Sequence, residues 1–258
     1  MPSSPSKAKE TGLLDLALEA HGGSEQWSRA KTVRARLHMV GPTWTALGQE
    51  KTFAGVDVAV EVHEQRTVFT GFTGPGMRGV YTPDRVAIED EGGAVLQERH
   101  APRETYPVRG HDARWDPLHA LYFGGYGMWN YLTAPYLLTL SGVRTEELEP
   151  WQADGERWRR LRVTFPPHIA THSTEQVFYY DESGLQRRLD YAPYVMGSPP
   201  AVHRTEAHRT VSGLVFPTHR YVLPVQDGHP GPEPVIIVDF TDITVDFSHG
   251  TQPPRGEQ

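Results

Sequence analysis

The chain has 258 residues, with 25 Lys plus Arg against 32 Asp plus Glu, so its formal net charge is −7 at pH 7 with His neutral. That balance lacks the basic footprint phosphate contacts require and excludes a nucleic-acid partner. The 25 Gly and 22 Pro imply many turns in a chain still long enough for a sizeable core, and the absence of Cys excludes disulfides, thiolate metal sites, a Cys nucleophile and a lipidated N-terminal Cys.

Residues 1–10, MPSSPSKAKE, read as a disordered tail without the apolar run of a secretory signal, from which a cytoplasmic location is expected. Residues 11–248 read as one domain and 249–258 as a frayed tail. Leu14, Ala17, Leu18 and His21 follow helical spacing up to Gly22-Gly23, and Ser24 then caps a short helix carrying Trp27. From Lys31 the period becomes two: Val33, Ala35, Leu37 and Met39 alternate with polar residues, as do Val56, Val58, Val60 and Val62. This predicts antiparallel strands with one wet face. Shorter strands are predicted around Thr67–Phe72, Gly79–Tyr81, Arg85–Glu89 and Val95–Glu98, separated by GPG, TPD and EGG turns.

Between Pro117 and Val143 there is no Asp, Glu, Lys or Arg. Length alone allows a membrane span, but His119, Asn130, the clustered Gly124, Gly125 and Gly127, and Pro135 argue against stable membrane insertion. The segment is predicted to be helical and buried by the sheet. Leu118, Leu121, Tyr122, Gly125, Trp129 and Leu132 form one stripe; His119, Phe123, Tyr126 and Asn130 form another. Gly124-Gly125 is expected to kink or break the helix. Asp116 before Pro117 suits an N-cap, and Asp112 beside it offers an alternative carboxylate pair.

Strands resume at Arg144–Trp151 and Arg157–Phe165, and Asp181-Glu182-Ser183-Gly184 joins Glu175–Tyr180 to Leu185–Tyr191 as a hairpin. Leu214–Leu223 and Val235–Phe247 complete the pattern. Ile236, Val238 and Phe240 share one face, whereas Ile243, Val245 and Phe247 are displaced by an odd number, which predicts a β-bulge at Thr241–Asp242.

The segments LALEAHGGSEQW, KTVRARLHMVG, FYYDESGLQRRLDY, VSGLVFPTHRYV and DFTDITVDF, in this order around a central helical insert, resemble the LolA-like superfamily, which includes lipoprotein carriers and LppX-type lipoproteins. The resemblance runs from Leu13 to Phe247. It implies a mainly β fold with helices (α+β): a strongly curved antiparallel sheet forming an unclosed barrel, with an N-terminal helix and the central insert on the concave face. It also implies an apolar cavity for acyl chains beneath the insert.

Familiar catalytic signatures are absent. Gly74-Pro75-Gly76-Met77-Arg78-Gly79 fits GxGxxG but leads into a strand, not a helix, and His63-Glu64 lacks the second His of HExxH, since Thr67 stands in its place. The histidines do not converge on a metal site: His203 and His208 would point to opposite faces of a regular strand, and His168 and His172 follow a double proline. No metal and no cofactor is expected. The expected partner is a small apolar or amphipathic ligand, an acyl chain or polyketide-like compound, contacted by His119, Tyr122, Phe123, Tyr126, Trp129, Asn130, His219 and Tyr221. His219 is taken to face inward with Val215 and Tyr221. The alternatives are a cofactor-independent isomerase, cyclase or hydrolase, with His119 or His219 as acid/base and Tyr126 as hydrogen-bond donor, and a structural domain without a small-molecule function.

Overall fold

A computed structural model of the chain describes residues 12–107, 114–153 and 155–247. The predicted terminal tails and Asp112 lie outside the described residues. Two short helices, α1 (Leu13–Ala20) and α2 (Ser24–Arg29), lead into β1 (Ala30–Val40), and a one-turn helix, α3 (Pro42–Ala46), precedes the meander β2 (Ala54–Glu61), β3 (Arg66–Thr70), β4 (Arg78–Thr82), β5 (Arg85–Glu89) and β6 (Val95–His100). The long helix α4 (Pro117–Thr133) separates it from a second meander: β7 (Arg144–Ala153), β8 (Glu156–Thr164), β9 (Glu175–Tyr180), β10 (Gln186–Tyr191), β11 (Ala201–Val211) and β12 (Leu214–Gln226). The two-residue β13 (His229–Pro230) pairs with β12, and β14 (Ile236–Phe247) ends the fold.

All pairs are antiparallel, in the order β6-β5-β4-β3-β2-β1-β14-β12-β11-β10-β9-β8-β7. The first and last strands therefore join the two meanders, and the sheet stays open between β6 and β7. Both edges are blunted by exposed charged side chains, Glu98 on β6 and Arg144, Glu146 and Glu147 on β7, which discourages pairing with another chain. In β1 the buried Val33, Ala35, Leu37 and Met39 alternate with outward-facing residues, as the period-two pattern requires.

The predicted bulge is present. Arg34 pairs with Thr244 but Arg36 pairs with Thr241, so β14 spends one extra residue, and Asp242 takes φ 52°. Ile243, Val245 and Phe247 consequently pack against the core beside Ile236, Val238 and Phe240. The hairpin at Asp181 also forms: Asp181 Oδ1 accepts from the Ser183 and Leu185 amides, and Gly184 sits at φ 86°.

Helix α4 lies on the concave side, and every residue from Leu118 to Thr133 is buried. Its N-terminus is capped by Asp116, whose side chain accepts from the His119 amide at 2.9 Å and is gripped by both terminal nitrogens of Arg99. Burial alone would raise the Asp116 carboxyl, but the bonds from Arg99 and the His119 amide hold it below the usual carboxylate range. Ala134 is extended because Pro135 follows it, and the helix stops there. The break expected as one alternative at Gly124-Gly125 does not occur; one uninterrupted helix runs through both glycines. They serve close packing instead, since a Cβ on Gly124 would fall 2.4 Å from Phe53 Cζ and one on Gly125 2.3 Å from Tyr81 Cγ. Among the described residues no helix is long and apolar enough to cross a membrane.

Candidate functional site

The helix is seated unevenly. It packs on β2, β3, β4 and β5 through aromatic contacts such as Tyr122 on Tyr81, with ring centroids 5.7 Å apart, and through the Trp129 indole, which donates to the Glu61 carbonyl at 2.8 Å. On its other side, facing β8 to β12, the wall carries polar groups. Arg220 lies on the inner face of β12 between Thr218 and Val222 and is 1% exposed. Its Nη2 donates to the Tyr131 carbonyl at 2.9 Å, and its guanidinium carbon stands 4.9 Å from the centroid of the Tyr131 ring. Burial pulls its pKa down to about 10.

Around it, the chain gathers a His–Tyr chain. The His172 ring is bracketed by two hydroxyls, Tyr126 at 3.1 Å from Nδ1 and Tyr131 at 2.7 Å from Nε2. It stacks on Tyr191 with centroids 4.2 Å apart and planes 9° from parallel. A neutral imidazole has one donor and one acceptor, so one tyrosine donates and the other accepts. Burial, aided by the nearby positive charge of Arg103, lowers the His172 pKa to about 3. The Tyr191 hydroxyl lies 3.5 Å from His203 Nδ1, and burial lowers His203 in the same direction. Burial likewise pushes the Tyr131 phenol up to about 12. At pH 7 the cluster is neutral imidazoles, neutral phenols and one cation.

Between this cluster and the chain that follows α4 lies a small cavity. Its lining is divided: Asn130, His172, Gln176, Gln186 and Arg220 supply polar groups, and Leu137, Phe165, Phe178 and Leu189 supply apolar ones. The space open to the centre of a water molecule is about 10 Å³, enough for about one water. Several of the polar groups are unmatched: Arg220 Nε and Nη1, Gln186 Nε2 and Asn130 Oδ1 are buried without a hydrogen-bond partner.

The structure scatters the residues singled out from sequence. Asn130 lines the cavity, while Tyr126 and Phe123 reach its edge through the His172 ring, Phe123 with centroids 5.3 Å apart. Tyr122 and Trp129 face the other half of the sheet. His119 sits at the helix start: its Nδ1 is 3.3 Å from the Asp116 amide and 2.9 Å from Asp116 Oδ1, and its Nε2 donates to the Thr105 carbonyl at 3.0 Å. His219 and Tyr221 do not face inward. Both project from the outer face of β12, where His219 Nδ1 meets Asp239 Oδ1 at 2.7 Å and the Tyr221 hydroxyl donates to Glu206 at 3.0 Å. The inner positions are Leu214, Phe216, Thr218, Arg220 and Val222.

The pairing of His203 and His208 with opposite faces also needs correction. Ala207 at φ 52° interrupts the alternation of β11, so His203 reaches Tyr131, centroids 4.7 Å apart, and His208 reaches His21, centroids 6.3 Å apart. Sequence reasoning missed Arg220 altogether. A basic residue at the parity of Phe216 and Val222 was the available signal. Among the described residues no group of three or more His, Asp or Glu is placed to hold a metal ion.

No family model and no curated protein matches the sequence. Solved structures do resemble the fold. A LolA superfamily protein from Nitrosomonas europaea is 12% identical, over 92% of this chain and 93% of that one, with a TM-score of 0.52. A DUF1329 family protein from Desulfovibrio piger is 11% identical over 92% and 93%, TM-score 0.51. A domain from Vibrio parahaemolyticus named for outer-membrane lipoprotein sorting is 11% identical over 92% and 94%, TM-score 0.51. The fold is LolA-like, as the sequence resemblance implied.

Proposed function

We propose that this protein binds an amphipathic small molecule, an acyl chain or polyketide-like compound, between helix α4 and the concave wall formed by β8, β9, β10 and β12. The observation that carries this reading is the mixed lining of the cavity, in which unmatched hydrogen-bonding groups stand among Leu137, Phe165, Phe178 and Leu189. Leaving buried polar atoms unpaired costs about 1–3 kcal/mol each, a cost a bound ligand would remove. Apolar contact adds about 25 cal/mol per Å² of surface removed from water. A lipoprotein-sorting name among the structures of this fold fits a ligand of that character. Since the space has room for only about one water, the ligand enters by parting the segment after α4 from β8–β10.

Native mass spectrometry of the protein purified from its own source tests the reading. A retained small molecule of amphipathic character is expected. Protein that emerges at its bare mass under mild conditions, and takes up no acyl compound when mixed with one, overturns it. The cytoplasmic location belongs to the same proposal, and recovery in the soluble cytoplasmic fraction of its source is the expected result.

A second reading, proton-transfer chemistry in the same cavity, is favoured by one feature: His172 and Tyr131 both border the space and are hydrogen-bonded to each other at 2.7 Å. It moves the acid/base role from His119 or His219 to His172.

A further inference from the structure

Among the described residues, Arg220 is the only one of the cavity lining that carries a charge at neutral pH, and no carboxylate is paired with it. A guanidinium taken out of water without a counter-ion is costly, and cation–π contact with Tyr131 and one carbonyl bond offset that cost only in part. Two of its nitrogens, Nε and Nη1, are free, and each can give a charge-assisted hydrogen bond to a carboxylate oxygen. Gln186 Nε2, a third free donor at 1% residue exposure, lines the same cavity. The apolar residues of the same lining suit the first carbons of a chain.

We infer that the Arg220 cavity is a carboxylate site, with the acid group held by a free N–H donor of Arg220 and by Gln186 Nε2. This deepens the proposed function and rests on it for the chain portion of the ligand, but not for the anion. The acid has two possible sources, an acyl-chain acid whose tail runs between α4 and the sheet, or a small free acid. The available room of about 10 Å³ is that of about one water, so an acid from either source demands the opening described above, a chain more of it.

The test compares dodecanoate, dodecanol and acetate by isothermal titration and thermal melts of the full chain at pH 7.5. Dodecanoate binding about tenfold or more tighter than dodecanol supports the site with an acyl acid as its occupant. Saturable acetate binding without binding of either chain compound supports the carboxylate site with a small acid, and removes the chain-binding function. Equal affinity for dodecanoate and dodecanol overturns the carboxylate site while leaving chain binding intact. No binding by any of the three overturns both.

Arg220→Met should abolish the preference for the acid. Replacing an uncompensated buried cation by an apolar side chain of similar length is often neutral or stabilising, so the variant should fold. Should its melt show an unfolded protein, Gln186→Leu decides instead: a reduced preference for dodecanoate is expected, and an unchanged preference in a folded variant overturns the assignment.

Discussion

The backbone of Gly125 lies so close to Tyr81 that a Cβ added there would sit 2.3 Å from Cγ and 2.5 Å from Cβ of that tyrosine. The contact involves the root of the side chain, so rotation of the Tyr81 ring does not relieve it. Gly124 meets the far end of the Phe53 ring instead, with Cζ at 2.4 Å. By contrast Gly127, two residues on, finds nothing nearer than 3.9 Å. These glycines let the helix descend onto β4 and the Phe53 ring.

Gly125→Ala is therefore expected to destabilise by about 1–3 kcal/mol, overpacking outweighing the helix propensity of Ala. Gly127→Ala should stabilise by about 0.5–1 kcal/mol, because Ala fits there in ordinary contact and loses less backbone entropy. Urea unfolding of the two variants checks this, and a stabilising Gly125→Ala would show that α4 does not rest on Tyr81.

Stability should fall in acid. Burial lowers His21 and His208 to about 4, and His172 to about 3, from an ordinary value of 6.5. A histidine with a depressed folded pKa is neutral in the fold and takes its proton on unfolding. Its stabilising contribution is complete above pH 6.5 and is lost as pH falls towards the folded value. His21 and His172 together give a slope of about 2–3 kcal/mol per pH unit near pH 5. His208 adds to it in the same direction, weakened by its partial exposure. Denaturant titrations at pH 7, 6 and 5 measure the slope, and a flat profile would mean that these imidazoles are not buried neutral.

His119 is expected to matter for the helix start more than for a ligand. His119→Ala removes the imidazole contacts to Asp116 and to the Thr105 carbonyl, and should cost about 1–2 kcal/mol. Retention of ligand per folded molecule should stay at the wild-type level. A loss of retention without a loss of stability, seen in parallel melts and retention assays, would return His119 to the binding site.

Asp242 holds the bulge of β14 at φ 52°, a conformation Asp and Asn tolerate, Gly prefers and β-branched residues resist. Asp242→Gly should be within about 0.5 kcal/mol of wild type and Asp242→Val about 1–2 kcal/mol less stable. Equal stability of the two would show that the backbone there is not left-handed.

The sequence by itself determined the elements whose cause is local. Period-two alternation placed β1 and β2, Asp181 and Gly184 the hairpin, Asp116 before Pro117 the helix start, and an odd displacement of apolar residues the bulge at Asp242. Their order sufficed to resemble the LolA-like fold. The tertiary structure alone decided which parity of β12 faces inward. Both parities carry apolar residues, Val215, Tyr221 and Leu223 against Leu214, Phe216 and Val222, so alternation identifies two faces without saying which is buried. It alone decided that Gly124 and Gly125 are contact points, since that depends on Phe53 and Tyr81, which come from a different part of the chain. The candidate site is likewise nonlocal. Tyr131 from α4, His172 from the loop between β8 and β9, Gln186 from β10 and Arg220 from β12 meet only when the sheet curves around the helix, and no spacing along the chain records that meeting.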